Sequence, residues 1–399
     1  MKFSKRVEAC GLSPMRKYRP LEVEALKKGK KIYKLNIGQP DIETPKAFFD
    51  AVKEFQQSVL AYAPSAGVET CIDAVRGYYK KLGIELPEWG IQVTTGGSEA
   101  LSMLLQCILD DGDEILVPEP FYPNYSTFVK MAGGTIRPIP TSPEEGFHFA
   151  DRDRIEPLIN EHTKAIMMTT PGNPTGAVLS PEDMRVMADI VKEHNLFLIS
   201  DEVYREFVYD TDRLSTMLEF EDIAENLAVV DSVSKRFSAC GARIGLILSR
   251  NKDLMDQTMK LCQGRLCSAT LDQVGAAALY TVGPDYFEAV RNEYRLRRDT
   301  CMAALKKIPG VVCECPKGAF YIMAKLPVDD TDKFQNWLLQ EFDYNGQTLM
   351  VAPGEGFYAT PGRGKNECRM AYVLCKEDLE KAMEVLAAAI KAYPGSTNK

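Results

Sequence analysis

From about residue 45 to about 285 the chain alternates short, fully apolar runs with longer stretches whose apolar positions recur at helical spacing. Residues 90–95 read as a strand that leads into the helix-like Ser98-Glu99-Ala100-Leu101-Ser102-Met103-Leu104-Leu105. Residues 114–117, 165–168, 196–199, 227–230 and 244–248 read as further strands. Strands with no polar face need cover on both sides, so the pattern predicts an α/β fold with a mostly parallel sheet between layers of helix. Residues 1–45 read as irregular apart from a charged helical stretch near residues 20–30. After Gly283-Pro284 the rhythm changes to a long charged helix at about 286–306. Strand-like runs at 319–323 and 369–373 follow, the pattern of a smaller α+β unit. The expected division is an arm with part of the small unit (1–45), a large domain (46–285) and a small C-terminal domain (286–399).

Composition changes this picture little. At 399 residues the chain is long enough for two cores, and 45% hydrophobic with 26% charged residues is ordinary for a folded protein. The net charge, −8, disfavours nucleic acid and anionic membranes as partners. No run approaches the roughly 18 apolar residues of a spanning helix. Met1-Lys2-Phe3-Ser4-Lys5-Arg6 has no apolar stretch behind it, so the eleven cysteines read as reduced thiols of a cytoplasmic protein. Cys313 with Cys315, and Cys262 with Cys267, lack zinc-site spacing, and there are three histidines; no metal is expected.

Ligands of open α/β sheets sit beyond the carboxyl ends of the strands. Four such ends carry unusual polar groups. Thr94-Thr95-Gly96-Gly97-Ser98-Glu99 joins a strand to a helix, which suits a phosphate at the helix start, or a tight turn capped by Ser98. Pro171-Gly172-Asn173-Pro174-Thr175-Gly176 reads as a turn in any protein. Ser200-Asp201-Glu202-Val203-Tyr204 puts a carboxylate after an apolar strand, either on a surface loop or facing a cation. Asp231-Ser232-Val233-Ser234-Lys235 puts an amine there, either solvated or made nucleophilic by burial.

In order and spacing, Asn173-Pro174-Thr175-Gly176, Asp201-x-x-Tyr204 and Ser232-x-Ser234-Lys235 with Arg243 eight residues on resemble the fold-type I pyridoxal-phosphate enzymes. The likeness is to the class I and II aminotransferases related to aspartate aminotransferase, and runs from about residue 36 to 389. It implies a large domain with a seven-stranded, mostly parallel sheet and a smaller α+β domain. It implies pyridoxal 5'-phosphate bonded to Lys235, which also serves as the base that moves the substrate proton. Asp201 is implied at the pyridine nitrogen, Asn173 and Tyr204 at the phenolic oxygen, and Tyr122 against the ring. Gly97, Ser98, Glu99, Ser232 and Arg243 are implied at the phosphate. Tyr62 matches a tyrosine that reaches the phosphate of a neighbouring subunit, which implies a homodimer with shared sites. Arg369 is implied at the substrate α-carboxylate, with Gly38 lining the substrate site beside Asn173.

The resemblance implies amino transfer from an L-amino acid, of aspartate or aromatic type, to a 2-oxo acid such as 2-oxoglutarate. A β-eliminating carbon–sulfur lyase on the same scaffold is the alternative, and a non-catalytic cofactor-binding regulator the remote one. The chain departs from the pattern at Ser98, where some bacterial aspartate aminotransferases carry a lysine that reads the second substrate carboxylate. Arg16, Lys17 and Arg19 of the N-terminal arm are the candidates to supply that charge.

Overall fold

Apolar runs too short for helices and flanked by turn residues become strands. In the computed structural model, which describes residues 1–210 and 215–398, each of the eight expected runs overlaps a strand, and strands also form at 31–34, 135–140, 347–350 and 352–353, where none was expected. The strands are β1 Lys31–Lys34, β2 Ile91–Thr94, β3 Glu114–Glu119, β4 Thr135–Pro140, β5 Thr163–Thr169, β6 Phe197–Asp201, β7 Leu227–Ser232, β8 Gly245–Leu248, β9 Tyr321–Lys325, β10 Gln347–Met350, β11 Ala352–Pro353 and β12 Glu367–Ala371.

Among the described residues, seven strands form one sheet in the order β2-β8-β7-β6-β5-β3-β4. Only β8 runs against its neighbours, so β2, β3, β5, β6 and β7 all end at the same edge. β7 is buried along its whole length, which explains its lack of alternation. Two apolar cores lie against this sheet, one containing Val93, Met168, Val229 and Leu246, the other Leu101, Leu104, Val117 and Val230. Burying each such aliphatic side chain contributes about 1.5–3 kcal/mol.

A third core joins Tyr33 and Leu35 to residues of the helices Pro284–Leu305 and Lys376–Ala392 and to β9 and β12. Here β11, β12 and β9 form an antiparallel sheet, and β1 pairs in parallel with β10. Strand β1 corrects the expectation of irregular chain at 31–34. Lys31-Ile32-Tyr33-Lys34 has one buried residue and charged ends, a pattern too short to distinguish from loop. The tail is also tied down: Thr397 N–H donates to the Pro327 carbonyl at 2.9 Å, and Gly395 accepts from Asp329 N–H at 2.9 Å. Among the described residues, no helix is long and apolar enough to cross a membrane.

Candidate active site

The shared strand edge opens into a cavity of about 530 Å³. β7 closes with Ser232, whose Oγ accepts from Ser234 N–H at 3.0 Å and so starts the short helix Val233–Arg236. Lys235 on that helix donates from Nζ to the Gly38 carbonyl at 2.8 Å, with Cys240 Sγ 3.8 Å away. Gly38 also lets this backbone pass directly against Tyr321, since a β-carbon there would fall 1.9 Å from the Tyr321 hydroxyl. Beneath the lysine lies a buried ion cluster. Asp231 accepts from Tyr79 at 2.8 Å and from Arg236 at 2.6 Å, and Arg205 lies 3.7 Å from Asp231 and 3.5 Å from Glu202. Asp231 thus anchors Arg236, the residue that follows Lys235, because a buried carboxylate holds firmly to the groups that satisfy it.

At the end of β6, Asp201 accepts from the Tyr125 hydroxyl at 2.6 Å and from Val203 N–H at 3.4 Å. Burial dominates its titration and pushes the carboxyl up from 3.8 to about 6, against the pull of those two hydrogen bonds. Tyr125 stands edge-on to Tyr122, with ring centroids 5.5 Å apart, and Tyr122 lines the cavity.

Gly97 and Ser98 open the helix Gly97–Ile108 and line the cavity together with Ser232, Ser234 and Arg243. The N–H groups of a first helical turn have no acceptor in their own helix, so they face outward as anion donors. Gly96 has φ +78°, and a β-carbon on it would sit 2.3 Å from Arg243 Nη2, so the guanidinium packs directly on this backbone.

On the opposite wall, Arg369 of β12 donates to Asn173 Oδ1 at 2.9 Å and to the Asn36 carbonyl at 2.8 Å. Its guanidinium lies 4.5 Å from the centre of the Tyr321 ring, and its Nε is buried without a hydrogen-bond partner among the described residues. The Tyr321 hydroxyl also meets that of Tyr204 at 2.8 Å. Burial, then Tyr321, raises the Tyr204 hydroxyl well above the usual tyrosine range.

Eleven of the expected residues therefore meet at one cavity: Gly38, Gly97, Ser98, Tyr122, Asn173, Asp201, Tyr204, Ser232, Lys235, Arg243 and Arg369. Two do not line it. The Glu99 carboxylate accepts from Thr95 N–H at 2.6 Å and lies 3.7 Å from Arg265 Nε, so it caps its helix instead of facing the phosphate region. Tyr62 is 80% exposed on the surface of the chain. Of the arm residues, Arg16 lines the cavity, whereas Lys17 pairs with Asp332 and Arg19 with Glu22. Tyr125 and Tyr321 escape sequence reasoning, because each sits in a run that reads equally well as plain core; Asp231 lies in a strand-end motif, but its pairing with Arg236 is not visible in the sequence.

The donor set fits pyridoxal phosphate. A buried carboxyl on the cavity wall suits a protonated ring nitrogen, and the Gly96–Arg243 cradle at the start of the helix Gly97–Ile108 suits a phosphate. An amine between the two suits an aldehyde.

The sequence profile of the family "Aminotransferase class I and II" matches residues 30–386. An aspartate aminotransferase of Pyrococcus horikoshii is 30% identical over 92% of this chain and 93% of its own length. Aromatic-amino-acid aminotransferase 2 of Thermococcus litoralis is 30% identical, over 90% of this chain and 92% of its own. The solved alanine aminotransferase of Pyrococcus furiosus superposes with a TM-score of 0.89 at 30% identity, covering 98% of this chain and 100% of that one. These names favour transfer over elimination. The chain belongs to the class I and II aminotransferases, pyridoxal-phosphate enzymes that move an amino group between an amino acid and a 2-oxo acid.

Proposed function

We propose that Lys235, Asp201 and Arg369 form the working core of an aminotransferase for L-amino acids of aspartate or aromatic type, with 2-oxoglutarate as acceptor. The observation that carries this reading is that all three side chains line one cavity. When bound, pyridoxal phosphate supplies a carbonyl for the amine and a ring that withdraws electrons. Asp201 holds the proton on the ring nitrogen, and Tyr125 holds Asp201. Asn173 and Tyr204 donate to the phenolic oxygen. Gly97, Ser98, Ser232 and Arg243 hold the phosphate, with Tyr122 against the ring.

Arg369, kept in place by Asn36 and Asn173, grips the substrate α-carboxylate through parallel hydrogen bonds. Lys235 Nζ, positioned by the Gly38 carbonyl, takes the proton from the substrate Cα. The polar walls fix one orientation of the amino acid, which is where catalytic advantage arises.

We further propose a cytoplasmic homodimer in which the exposed Tyr62 reaches the site of the second copy. The chain would divide into an arm (1–45), a cofactor domain (46–285) and a small domain (286–399). The apolar cores follow this division in the main, with Tyr33 and Leu35 of the first segment, and Tyr204, Phe207 and Tyr209 of the second, packing in the core of the small domain. The purified holoenzyme tests the function: a panel of amino acids should change the absorbance of the bound cofactor and release the matching 2-oxo acids. Release of pyruvate and ammonia from cystathionine, with no transfer from any donor, would instead mark a lyase.

A further inference from the structure

Glu119, the last residue of β3, is 1% exposed and stands behind the cavity wall. Its Oε2 accepts from Ala359 N–H at 3.1 Å and from Thr360 N–H at 3.0 Å. Its Oε1 accepts from the Thr360 hydroxyl at 2.7 Å and lies 3.5 Å from Arg363 Nη1. These donors belong to the loop 354–366 between β11 and β12, so the contact joins the seven-stranded sheet to the sheet that carries Arg369. We infer that Glu119 is a positioning residue for substrate binding: it clasps this loop to the end of β3, so that the loop's Phe357 stays against Arg369 and the α-carboxylate clamp keeps its place opposite Tyr122 and Asp201. The inference rests on Arg369 as the clamp.

The contacts run without a gap from Glu119 to the clamp. Phe121, two residues on, donates its N–H to the Phe357 carbonyl at 2.8 Å. Phe357 is buried, and the centre of its ring lies 5.1 Å from the Arg369 guanidinium, a distance at which the ring attracts the cation. The loop also begins beside the clamp, since Ala352 of β11 pairs with Arg369 of β12. On the other side, Tyr122 lines the cavity, and the Phe121 ring stacks 6.4 Å from that of Tyr125, which holds Asp201. Residues 119–125 therefore carry one wall of the site, and the loop they clasp supports the opposite one.

A buried carboxylate is strongly disfavoured unless donors meet it, so Glu119 and the loop hold each other. Hydrogen bonds to a charged acceptor are also about twice as strong as neutral ones. Without the carboxylate, the hydrogen bonds left across this contact among the described residues are Phe121 to Phe357 and Arg363 Nη2 to the Thr141 carbonyl, at 2.5 Å. The loop then gains freedom, and Phe357 with it. A carboxylate gripped through parallel hydrogen bonds tolerates little displacement of its guanidinium, so the loss falls on substrate binding.

The test uses the holoenzyme and the most active donor of the amino-acid panel. Glu119→Ala should lower kcat/KM about tenfold, the scale of one hydrogen bond to a charged group, and should do so through KM, with kcat within about threefold and bound cofactor undiminished. Glu119→Gln, whose amide oxygen still accepts from the two N–H groups, should return to within about threefold of the wild type. Because Glu119 acts through Arg369, adding Glu119→Ala to Arg369→Lys should cost less than about twofold more. Thr360→Val removes one donor, leaves the carboxylate in place and should raise KM about threefold, which carries the test if Glu119→Ala does not fold. An unmoved KM in Thr360→Val, or a tenfold loss repeated in full in Arg369→Lys, overturns the inference. So does a loss confined to thermal stability or bound cofactor, the mark of a role in folding alone. Failure of the clamp itself looks different, since Arg369→Lys alone would then leave kcat/KM unmoved.

Discussion

In Asp201→Asn the buried carboxyl at the end of β6 becomes an amide of nearly the same shape, so charge changes while packing does not. Without cofactor, the folded chain keeps the Asp201 proton up to about pH 6, whereas the group ordinarily titrates at 3.8. The folded state then binds more protons than the unfolded one between these values. Its stability therefore falls as the pH rises from 3.8 to 6 and stays reduced above that. At about 1.4 kcal/mol per pH unit the reduction is about 3 kcal/mol by pH 7.5, and about 1 kcal/mol at pH 4.5. Asp201 is buried, so solvent screening does not shrink the figure. Urea unfolding of the cofactor-free protein, at both pH values and one protein concentration, measures the difference. Asp201→Asn should be the more stable protein by about 3 kcal/mol at pH 7.5, with most of that gain lost at pH 4.5. Cofactor affinity should move the opposite way and fall at least about a hundredfold, because the ring nitrogen loses its counter-ion. A cofactor-free Asn variant less stable than the wild type at pH 7.5, or a difference independent of pH, would refute the reasoning.

Arg369→Lys keeps the charge but loses the paired hydrogen bonds, so kcat/KM for α-amino acids should fall about a hundredfold in steady-state assays; a change under about threefold contradicts the clamp. Tyr321→Phe removes the hydroxyl that meets Tyr204. The pH midpoint of the bound cofactor's absorbance should then shift by about one pH unit, and an unmoved midpoint would show that the contact does not reach the cofactor. Arg236→Met leaves the buried Asp231 short of its closest cation, at 2.6 Å, and should lower stability by about 3 kcal/mol or more. A loss below about 1 kcal/mol would mean that Arg205 alone satisfies the carboxylate.

The parts of the site legible in the sequence are those whose local pattern is unusual. Asp201 and Lys235 stand out because a charge directly after an apolar strand is rare without a purpose, and Gly96-Gly97 because paired glycines break a strand-to-helix joint. Asn173 sits in a strand-end motif that reads as a turn in any protein and Arg369 carries no mark; the family resemblance alone implied their roles, and the cavity brings them within 2.9 Å of each other. Tyr125 and Tyr321 were invisible for a physical reason. A tyrosine on an apolar helix face or strand reads the same whether its hydroxyl meets a core carbonyl or Asp201. Arg16 was one of three arm cations in the sequence, and the ion pairs of Lys17 and Arg19 single it out. Glu99 shows the reverse situation: a residue in the right motif whose side chain accepts from Thr95 N–H at the helix end. At fold level, the long buried strands were plain, while β1, four residues with charged ends, was not.

Lys235 as the cofactor's lysine is the claim on which the rest depends. Borohydride reduction of the holoenzyme, followed by digestion and mass spectrometry, fixes the cofactor on whichever amine holds it. One phosphopyridoxyl group, on Lys235, is the expected result. The same mark on any other lysine, with Lys235 unmodified, would contradict it.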